Sequence, residues 1–294
     1  EAVNVATKLA TQDKVHAIVG SVSSKCSIPI SEVAEANQVI QITPTSTNPK
    51  VTMDPERKTF VFRACFIDPF QGTVGAMFAL NNLKAKTAAV MFDSGNDYTI
   101  GLANFFKASF IAGGGTIVGW EAYGKDDVDF SAQLTKIAAA KPDILYLPDY
   151  YNKVSLIGQQ ARQKGIKAPF LGGDGWDSSE LDFVTMDGGY FTNHYSAGDT
   201  RAIVVDWVAA YTAKYGATPD ALATLAYDAT KLLLKAIETA GSNDRTAIRD
   251  ALQAISLDVV SGRVSFDADG NPTKAAVILQ IKDGLQVYVA TVSP

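Results

Sequence analysis

Short apolar runs alternate with helical patterns along most of this chain. Alternation of this kind is typical of βαβ units, which build parallel sheets covered by helices. Strands are predicted at residues 15–19, 39–42, 60–63, 87–92, 116–123, 144–147, 170–172 and 190–195, followed by a hairpin at 275–281 and 286–292. Helices are predicted at residues 1–10, 28–36, 71–81, 100–112, 129–140, 153–164, 202–215, 222–240 and 245–255. We therefore expect an α/β protein with doubly wound parallel sheets.

Length and charge narrow the class of protein further. With 294 residues, 47% of them hydrophobic, the chain exceeds the ~150 residues of one typical domain, so two domains are expected. The net charge is −5, and no cluster of Lys and Arg marks a nucleic-acid surface. No apolar stretch approaches the ~18–20 residues that span a bilayer. No Pro/Gly/Ser-rich linker separates two consecutive domains, which indicates that the chain crosses between its domains several times.

Two polar turns, at residues 19–24 and 42–49, each follow a strand with a buried pattern. In open α/β sheets, ligands bind at the carboxyl ends of the strands, where hydroxyls and the free amides of a helix N-terminus attract carboxylate or phosphate. Together the two turns predict an anion site. Each turn alone has a plainer interpretation, in which Ser24 caps a helix and Asn48-Pro49 forms a simple turn.

The two turns, followed in order by Arg63, Asp68 and Gln71-Gly72, resemble the leucine/isoleucine/valine-binding proteins, the amino-acid receptors of bacterial ABC importers. The resemblance continues along the whole chain, at residues 92–93, 98–101, 129–134, 142–146, 150–151, 172–176, 226–229 and 240–242. Members of that family usually open with a strand, a helix and a second strand. This chain instead begins at what reads as the next helix, so the first strand-helix-strand is expected to be absent from it.

The resemblance implies a type I periplasmic binding protein fold, with two doubly wound parallel-sheet lobes joined by a three-strand hinge. Transferred to this sequence, the crossings fall near Cys65, Ser196 and Pro272. Lobe one would then contain residues 1–65 and 197–272, and lobe two residues 66–196 and 273–294.

The function implied by the resemblance is that of an exported solute-binding protein, periplasmic or held at the outer face of the membrane. It would capture a free amino acid, branched-chain or otherwise hydrophobic, between two closing lobes and deliver it to the membrane permease of an ABC transporter. It is expected to act as a monomer, without cofactor, metal or nucleic acid. The alternative is a ligand-sensing receptor or regulator domain of the same fold, which would detect an amide or a small carboxylate.

A free amino acid presents a carboxylate and an ammonium, so its receptor needs hydrogen-bond donors for one and acceptors for the other. The resemblance implies that Ser24 and Thr47, with nearby backbone amides, bind the carboxylate from lobe one, and that Asp174 binds the ammonium from lobe two. The backbone carbonyl of Thr45 is expected to be a second acceptor. Lys25 is expected to be a solvated lysine at a helix start, with the alternative that it contacts a ligand carboxylate.

Aromatic and apolar residues complete the expected site. Tyr98 follows one strand of lobe two and could meet the ammonium or be a packing residue. Tyr150 is expected to act in the same way, although the sequence alone does not separate it from Tyr151. Trp176 and Val22, with Tyr150, are expected to wall an apolar pocket for the ligand side chain.

The sequence gives no support to an enzyme. It contains no G-x-G-x-x-G, Walker or G-x-S-x-G motif. His16 and His194 fall in or beside strands and lack the spacing of metal ligands, so both are expected to be structural. Cys26 and Cys65 could form a disulfide or remain buried thiols.

Overall fold

The structure, a computed structural model, describes residues 1–293 and divides the chain into two compact units. Unit 1 contains residues 1–67, 199–275 and 293. Unit 2 contains residues 68–198 and 276–292. The chain therefore leaves one unit for the other after Ile67, Gly198, Ala275 and Val292.

Helices and strands alternate through most of both units. In chain order, α1 to α9 are Ala2–Thr11, Ser24–Ala36, Asp68–Asn81, Asp97–Ala112, Ser131–Ala140, Tyr151–Gln163, Ala202–Tyr215, Ala221–Ala240 and Arg245–Gln253. In chain order, β1 to β12 are Ala17–Val19, Ile40–Thr43, Val61–Arg63, Thr87–Asp93, Thr116–Tyr123, Ile144–Leu147, Phe170–Gly172, Tyr190–Asn193, Ser256–Val259, Gly262–Ser265, Ala276–Lys282 and Leu285–Val292. Short 3-10 helices lie at Pro49–Val51 and Asp174–Trp176.

Within the described part of unit 1, a three-stranded parallel sheet has the order β1-β2-β3. Every residue of β2 is buried, as expected for a parallel strand covered on both faces. Ile40 and Ile42 of β2 join a core that includes Phe62 of β3 and Leu225 and Leu232 of α8. The parallel register brings the carboxyl ends of the three strands to the same edge, and both polar turns start there.

Over residues 68–198 and 276–292, unit 2 contains a seven-stranded sheet in the order β12-β11-β8-β7-β6-β4-β5. Neighbours among β8, β7, β6, β4 and β5 pair in parallel. Strand β11 pairs antiparallel with both β8 and β12. The β11–β12 hairpin turns at Asp283 and Gly284, which both have positive φ angles of 52° and 77°. That geometry is the one Asp-Gly favours in two-residue hairpins.

The predicted α/β class is confirmed, and each predicted strand and helix is present, some with the predicted ends and the others with ends shifted by up to four residues. The prediction missed the antiparallel β9–β10 pair, whose strands have only four residues each. It also missed the 3-10 helix at Asp174–Trp176. Among the helices of residues 1–293, none has the length and apolar character needed to cross a membrane.

Candidate ligand-binding site

The two polar turns of unit 1 are tied together by hydroxyl groups. The carbonyl of Ser21 accepts hydrogen bonds from Thr43 Oγ1 at 2.6 Å, Ser46 Oγ at 3.0 Å and Ser27 Oγ at 3.1 Å. Ser46 Oγ also lies 2.7 Å from Ser27 Oγ. These three hydroxyls are therefore committed to holding the turns in place.

The hydroxyls of Ser24, Thr45 and Thr47 have different surroundings. Ser24 is buried, and its Oγ accepts a hydrogen bond from the Asn48 amide at 3.3 Å. Thr45 Oγ1 donates to the carbonyl of Val22 at 3.0 Å. Thr47 is fully buried, and among residues 1–293 its Oγ1 has no hydrogen-bond partner. A hydroxyl left in this way is costly unless something else binds to it.

The capping interpretation of Ser24 is wrong. The N-cap of α2 is Ser23, which makes no side-chain capping bond, and Ser24 is the first helical residue. The first amides of a helix have no partners inside it and carry its positive dipole end, so the start of α2 favours an anion. Lys25 is exposed, and 42% of the surface of Val22 is accessible to solvent.

In unit 2, Asp174 follows β7 and lies at the centre of a buried polar cluster. Its Oδ1 accepts hydrogen bonds from Gln71 Nε2 at 2.8 Å and from the Tyr98 hydroxyl at 2.9 Å. Its Oδ2 lies 3.1 Å from His194 Nε2. Gln71 Nε2 also donates to Thr192 Oγ1 at 2.9 Å. The cluster fixes the carboxylate of Asp174 in one orientation.

Tyr98 acts as a donor in this cluster. Burial, and next the negative charge of Asp174, raise the pKa of the Tyr98 hydroxyl well above its ordinary value. The phenol therefore stays protonated at neutral pH. Its ring lies 5.2 Å from the ring of the half-buried Tyr150, whereas Tyr151 packs against the core of unit 2. Tyr150, and not Tyr151, is thus the residue beside Tyr98, which bonds to Asp174.

Sequence reasoning missed three members of the cluster, Gln71, Thr192 and His194. His194 was expected to be structural, yet it contacts Asp174. It directly follows β8, which pairs in parallel with β7, so both strands end at the same edge of the sheet. This register was the signal that could have placed His194 next to the turn after β7.

Trp176 does not line a side-chain pocket, contrary to expectation. It is fully buried in the core of unit 2 beside Phe191, and its Nε1 donates to the carbonyl of Leu147 at 2.9 Å. A Cβ on Gly172 would lie 2.1 Å from the indole, so this glycine is needed for the close approach. The indole of this 3-10 turn is thus a core residue of unit 2.

A second buried acid, Asp149, lies after β6. Its Oδ2 accepts a hydrogen bond from the Tyr123 hydroxyl at 2.5 Å, and its Oδ1 accepts one from the Tyr150 amide at 2.7 Å. Burial raises the pKa of Asp149 to about 6, although both hydrogen bonds oppose that rise. The carboxyl therefore binds its proton more tightly in the folded state than in the unfolded one.

This shift predicts a pH dependence of stability. Because the folded pKa is raised, the contribution of Asp149 is fully present below about pH 4 and is lost as the pH rises through about 6. Two pKa units correspond to about 3 kcal/mol. In urea unfolding from pH 4 to pH 7, the free energy of unfolding of the parent should fall relative to that of the Asp149→Asn variant by up to about this amount. A difference that stays constant with pH would contradict the assignment.

A cavity of about 840 Å³ lies in unit 1, lined by residues of α7, α8 and β9. None of the turn residues belongs to its lining.

Within residues 1–293, no group of His, Cys, Asp and Glu could hold a metal ion. Cys26 and Cys65 are present as thiols, which removes the disulfide alternative.

A family model, described as periplasmic binding protein, matches residues 1–286. The chain belongs to the periplasmic binding protein family. The Leu/Ile/Val-binding protein BraC3 of Rhizobium johnstonii is 34% identical to it over 272 residues, which are 91% of this chain and 73% of that relative.

Two solved structures show which periplasmic binding proteins this chain is similar to. The leucine binding protein LivK of Thermotoga maritima is 40% identical and aligns with a TM-score of 0.95 over 100% of this chain and 84% of its own. The branched-chain amino acid transporter substrate binding protein LivJ of Streptococcus pneumoniae, solved in complex with isoleucine, is 32% identical and aligns with a TM-score of 0.92 over the same shares. The resemblance to leucine/isoleucine/valine-binding proteins and the fold that it implies are confirmed.

Proposed function

We propose that this chain binds a free branched-chain or other hydrophobic amino acid and delivers it to the permease of an ABC transporter. One observation carries the proposal: unit 1 has a helix start and a neighbouring turn in which the Thr47 hydroxyl has no partner among residues 1–293, and unit 2 has a buried acceptor, Asp174. An amino-acid head group requires this combination. LivJ, which is named as a transporter protein and was solved with isoleucine, favours transport over the alternative of sensing.

The carboxylate of the ligand is assigned to unit 1. Its hydrogen-bond donors are proposed to be Thr47 Oγ1, the amides at the start of α2 and the hydroxyl of Ser24. Because Ser24 Oγ accepts from Asn48, its hydroxyl hydrogen remains available to a ligand oxygen. The carbonyl of Thr45 stays the proposed second acceptor for the ammonium.

The ammonium is assigned to unit 2. Asp174 offers the negative charge, and Tyr98 and Tyr150 offer a hydroxyl and an aromatic face beside it. Gln71 and His194 hold Asp174 in place. Val22 and Tyr150 are the remaining candidates for the wall of the side-chain pocket, since Trp176 lies in the core.

The remaining features of the function are proposed together. Units 1 and 2 correspond to the two lobes implied by the family. The chain acts outside the cytoplasm as a monomer that binds its ligand without transforming it, and it has no nucleic-acid partner. Neither a cofactor nor a metal is part of the proposed binding reaction.

A competition series across the twenty amino acids, followed by calorimetry, tests this function. Burying an aliphatic side chain contributes about 1.5–3 kcal/mol, so Leu, Ile or Val should bind at least about tenfold more tightly than Gly. Charged side chains should bind poorly, because a charge in an apolar pocket loses its hydration. Tightest binding to Glu or Asp would show that Lys25 faces the ligand and that the proposed specificity is wrong.

Thr47→Val separates a ligand contact from a structural one. Since Thr47 Oγ1 has no partner among the described residues, the variant should keep the free energy of unfolding of the parent or exceed it. Leucine affinity should fall by about 1.5–3 kcal/mol, the usual range for a hydrogen bond to a charged group. Thr43→Val is the matched control, because Thr43 Oγ1 bonds to Ser21 and Ser46, and its loss should lower stability. If the parent and Thr47→Val bind leucine equally well, Thr47 does not contact the ligand.

A further inference from the structure

Arg63, the last residue of β3, is fully buried and reaches the second polar turn. Its Nη1 donates to the carbonyl of Ser46 at 2.6 Å, and its Nη2 donates to the carbonyl of Asn48 at 3.0 Å. The guanidinium thus holds the carbonyls on both sides of Thr47. A planar fork of donors is suited to two acceptors at once, which a lysine is not.

These bonds fix the direction of the Thr47 amide. The peptide bond between Ser46 and Thr47 is trans. In a planar trans peptide the carbonyl oxygen and the next amide hydrogen point in opposite directions. Since the Ser46 carbonyl points toward Arg63, the amide of Thr47 points away from it.

The neighbouring polar groups of the turn are used inside unit 1. The Ser46 amide donates to Thr43 Oγ1 at 3.1 Å, and the Asn48 amide donates to Ser24 Oγ at 3.3 Å. Thr47 Oγ1, by contrast, is buried without a partner in the described chain. The hydroxyl of Thr47 is therefore left for another molecule, and its amide points to the side away from Arg63.

Arg63 is itself anchored. Its Nη2 also donates to Thr52 Oγ1 at 3.0 Å, and Thr52 Oγ1 donates to Asn271 Oδ1 at 3.0 Å. Its backbone amide donates to the carbonyl of Gly270 at 3.3 Å. The segment at residues 270–271 thus also helps to hold Arg63 in place.

We propose that Arg63 is a positioning residue for the ligand carboxylate: it holds the carbonyls of Ser46 and Asn48 so that the amide and hydroxyl of Thr47 are presented as donors. The inference rests on the proposed function and deepens it, because it names the residue that orders the carboxylate half of the site. Arg63 does not itself contact the ligand. Its effect should therefore be specific to ligands that carry a carboxylate.

The test compares leucine with leucinamide, in which a neutral amide replaces the carboxylate, by calorimetry at a pH where both amines are protonated. The parent should prefer leucine. In Arg63→Met, leucine affinity should fall roughly ten- to a hundredfold, with a much smaller loss for leucinamide, so that the preference shrinks. Arg63→Lys should restore little of the preference, because one ammonium cannot replace the fork.

Arg57→Met is the matched control. Arg57 lies in the same unit and donates to the carbonyls of Val61 and Ala268, but not to the turn at Thr47. If both arginines are only structural, both substitutions should lower the free energy of unfolding. Neither should then change the preference for leucine over leucinamide. An unchanged preference in Arg63→Met would overturn the inference.

Two further outcomes separate this inference from the proposed function. If the parent binds neither leucine nor another amino acid, the proposed function fails. If Arg63→Met does not fold, as judged by circular dichroism, Arg63→Lys and Thr52→Val decide the question. Thr52→Val removes the hydroxyl that anchors the guanidinium, so a smaller preference supports the inference and an unchanged preference overturns it.

Discussion

Asp174→Asn is expected to weaken the binding of leucine by about 2–5 kcal/mol, the largest effect on binding that we predict. Asp174 is buried; its Oδ1 accepts hydrogen bonds from Gln71 and Tyr98, and its Oδ2 contacts His194. These groups orient the carboxylate but do not replace an ammonium. The asparagine amide would set a donor against the ligand's own donors, and the ammonium would lose its counter-charge.

Asp177→Asn is the matched control for this variant. Asp177 is a buried aspartate three residues along the same turn, and it accepts hydrogen bonds from Asn193 and Gln286. Its substitution should lower the free energy of unfolding without a comparable loss of leucine affinity. If Asp174→Asn binds leucine as the parent does, the ammonium is bound elsewhere.

Trp176→Ala is expected to lower the free energy of unfolding by about 3–5 kcal/mol, the cost of removing a large buried side chain. The indole is fully buried among residues of the unit 2 core, and its Nε1 bonds to the carbonyl of Leu147. Urea unfolding followed by circular dichroism measures the loss. Trp176→Phe should retain most of the packing and bind leucine with nearly the affinity of the parent.

Trp120→Ala provides the comparison within the same unit. Trp120 lies on the edge strand β5 and is only partly buried, with contacts to Phe92 and Lys107. Its removal should cost less stability than the removal of Trp176. If Trp176→Ala keeps nearly the stability of the parent but binds leucine much more weakly, Trp176 lines the ligand pocket and is not a core residue.

The fold could be predicted in large part because its signals are local. Buried parallel strands are short apolar runs, and Asp283-Gly284 identifies its hairpin without any tertiary information. The position of the two polar turns at one sheet edge follows from β1 and β2 being parallel neighbours. The β9–β10 pair was missed because each strand has only four residues, too few for an alternating pattern to stand out.

The site was predicted less completely, since its details depend on tertiary direction. Sequence shows a cluster of hydroxyls, but it does not show that those of Thr43 and Ser46 are consumed by Ser21 while that of Thr47 is not. The contact between His194 and Asp174 depends on strand register. In the same way, only the geometry of the turn after β7 reveals that the indole next to Asp174 enters the core.

The most direct measurement is a calorimetric titration with leucine and with two analogues, 4-methylpentanoate, which lacks the amine, and isopentylamine, which lacks the carboxylate. All three share the aliphatic side chain, so differences between them report the two halves of the head-group site. We predict saturable binding of leucine, and a loss of about 2–5 kcal/mol for 4-methylpentanoate, because it leaves Asp174 without its partner. Isopentylamine should also bind more weakly, since it leaves the donors at Thr47 unused. Binding of 4-methylpentanoate as tight as that of leucine would contradict recognition of a free amino acid by this chain.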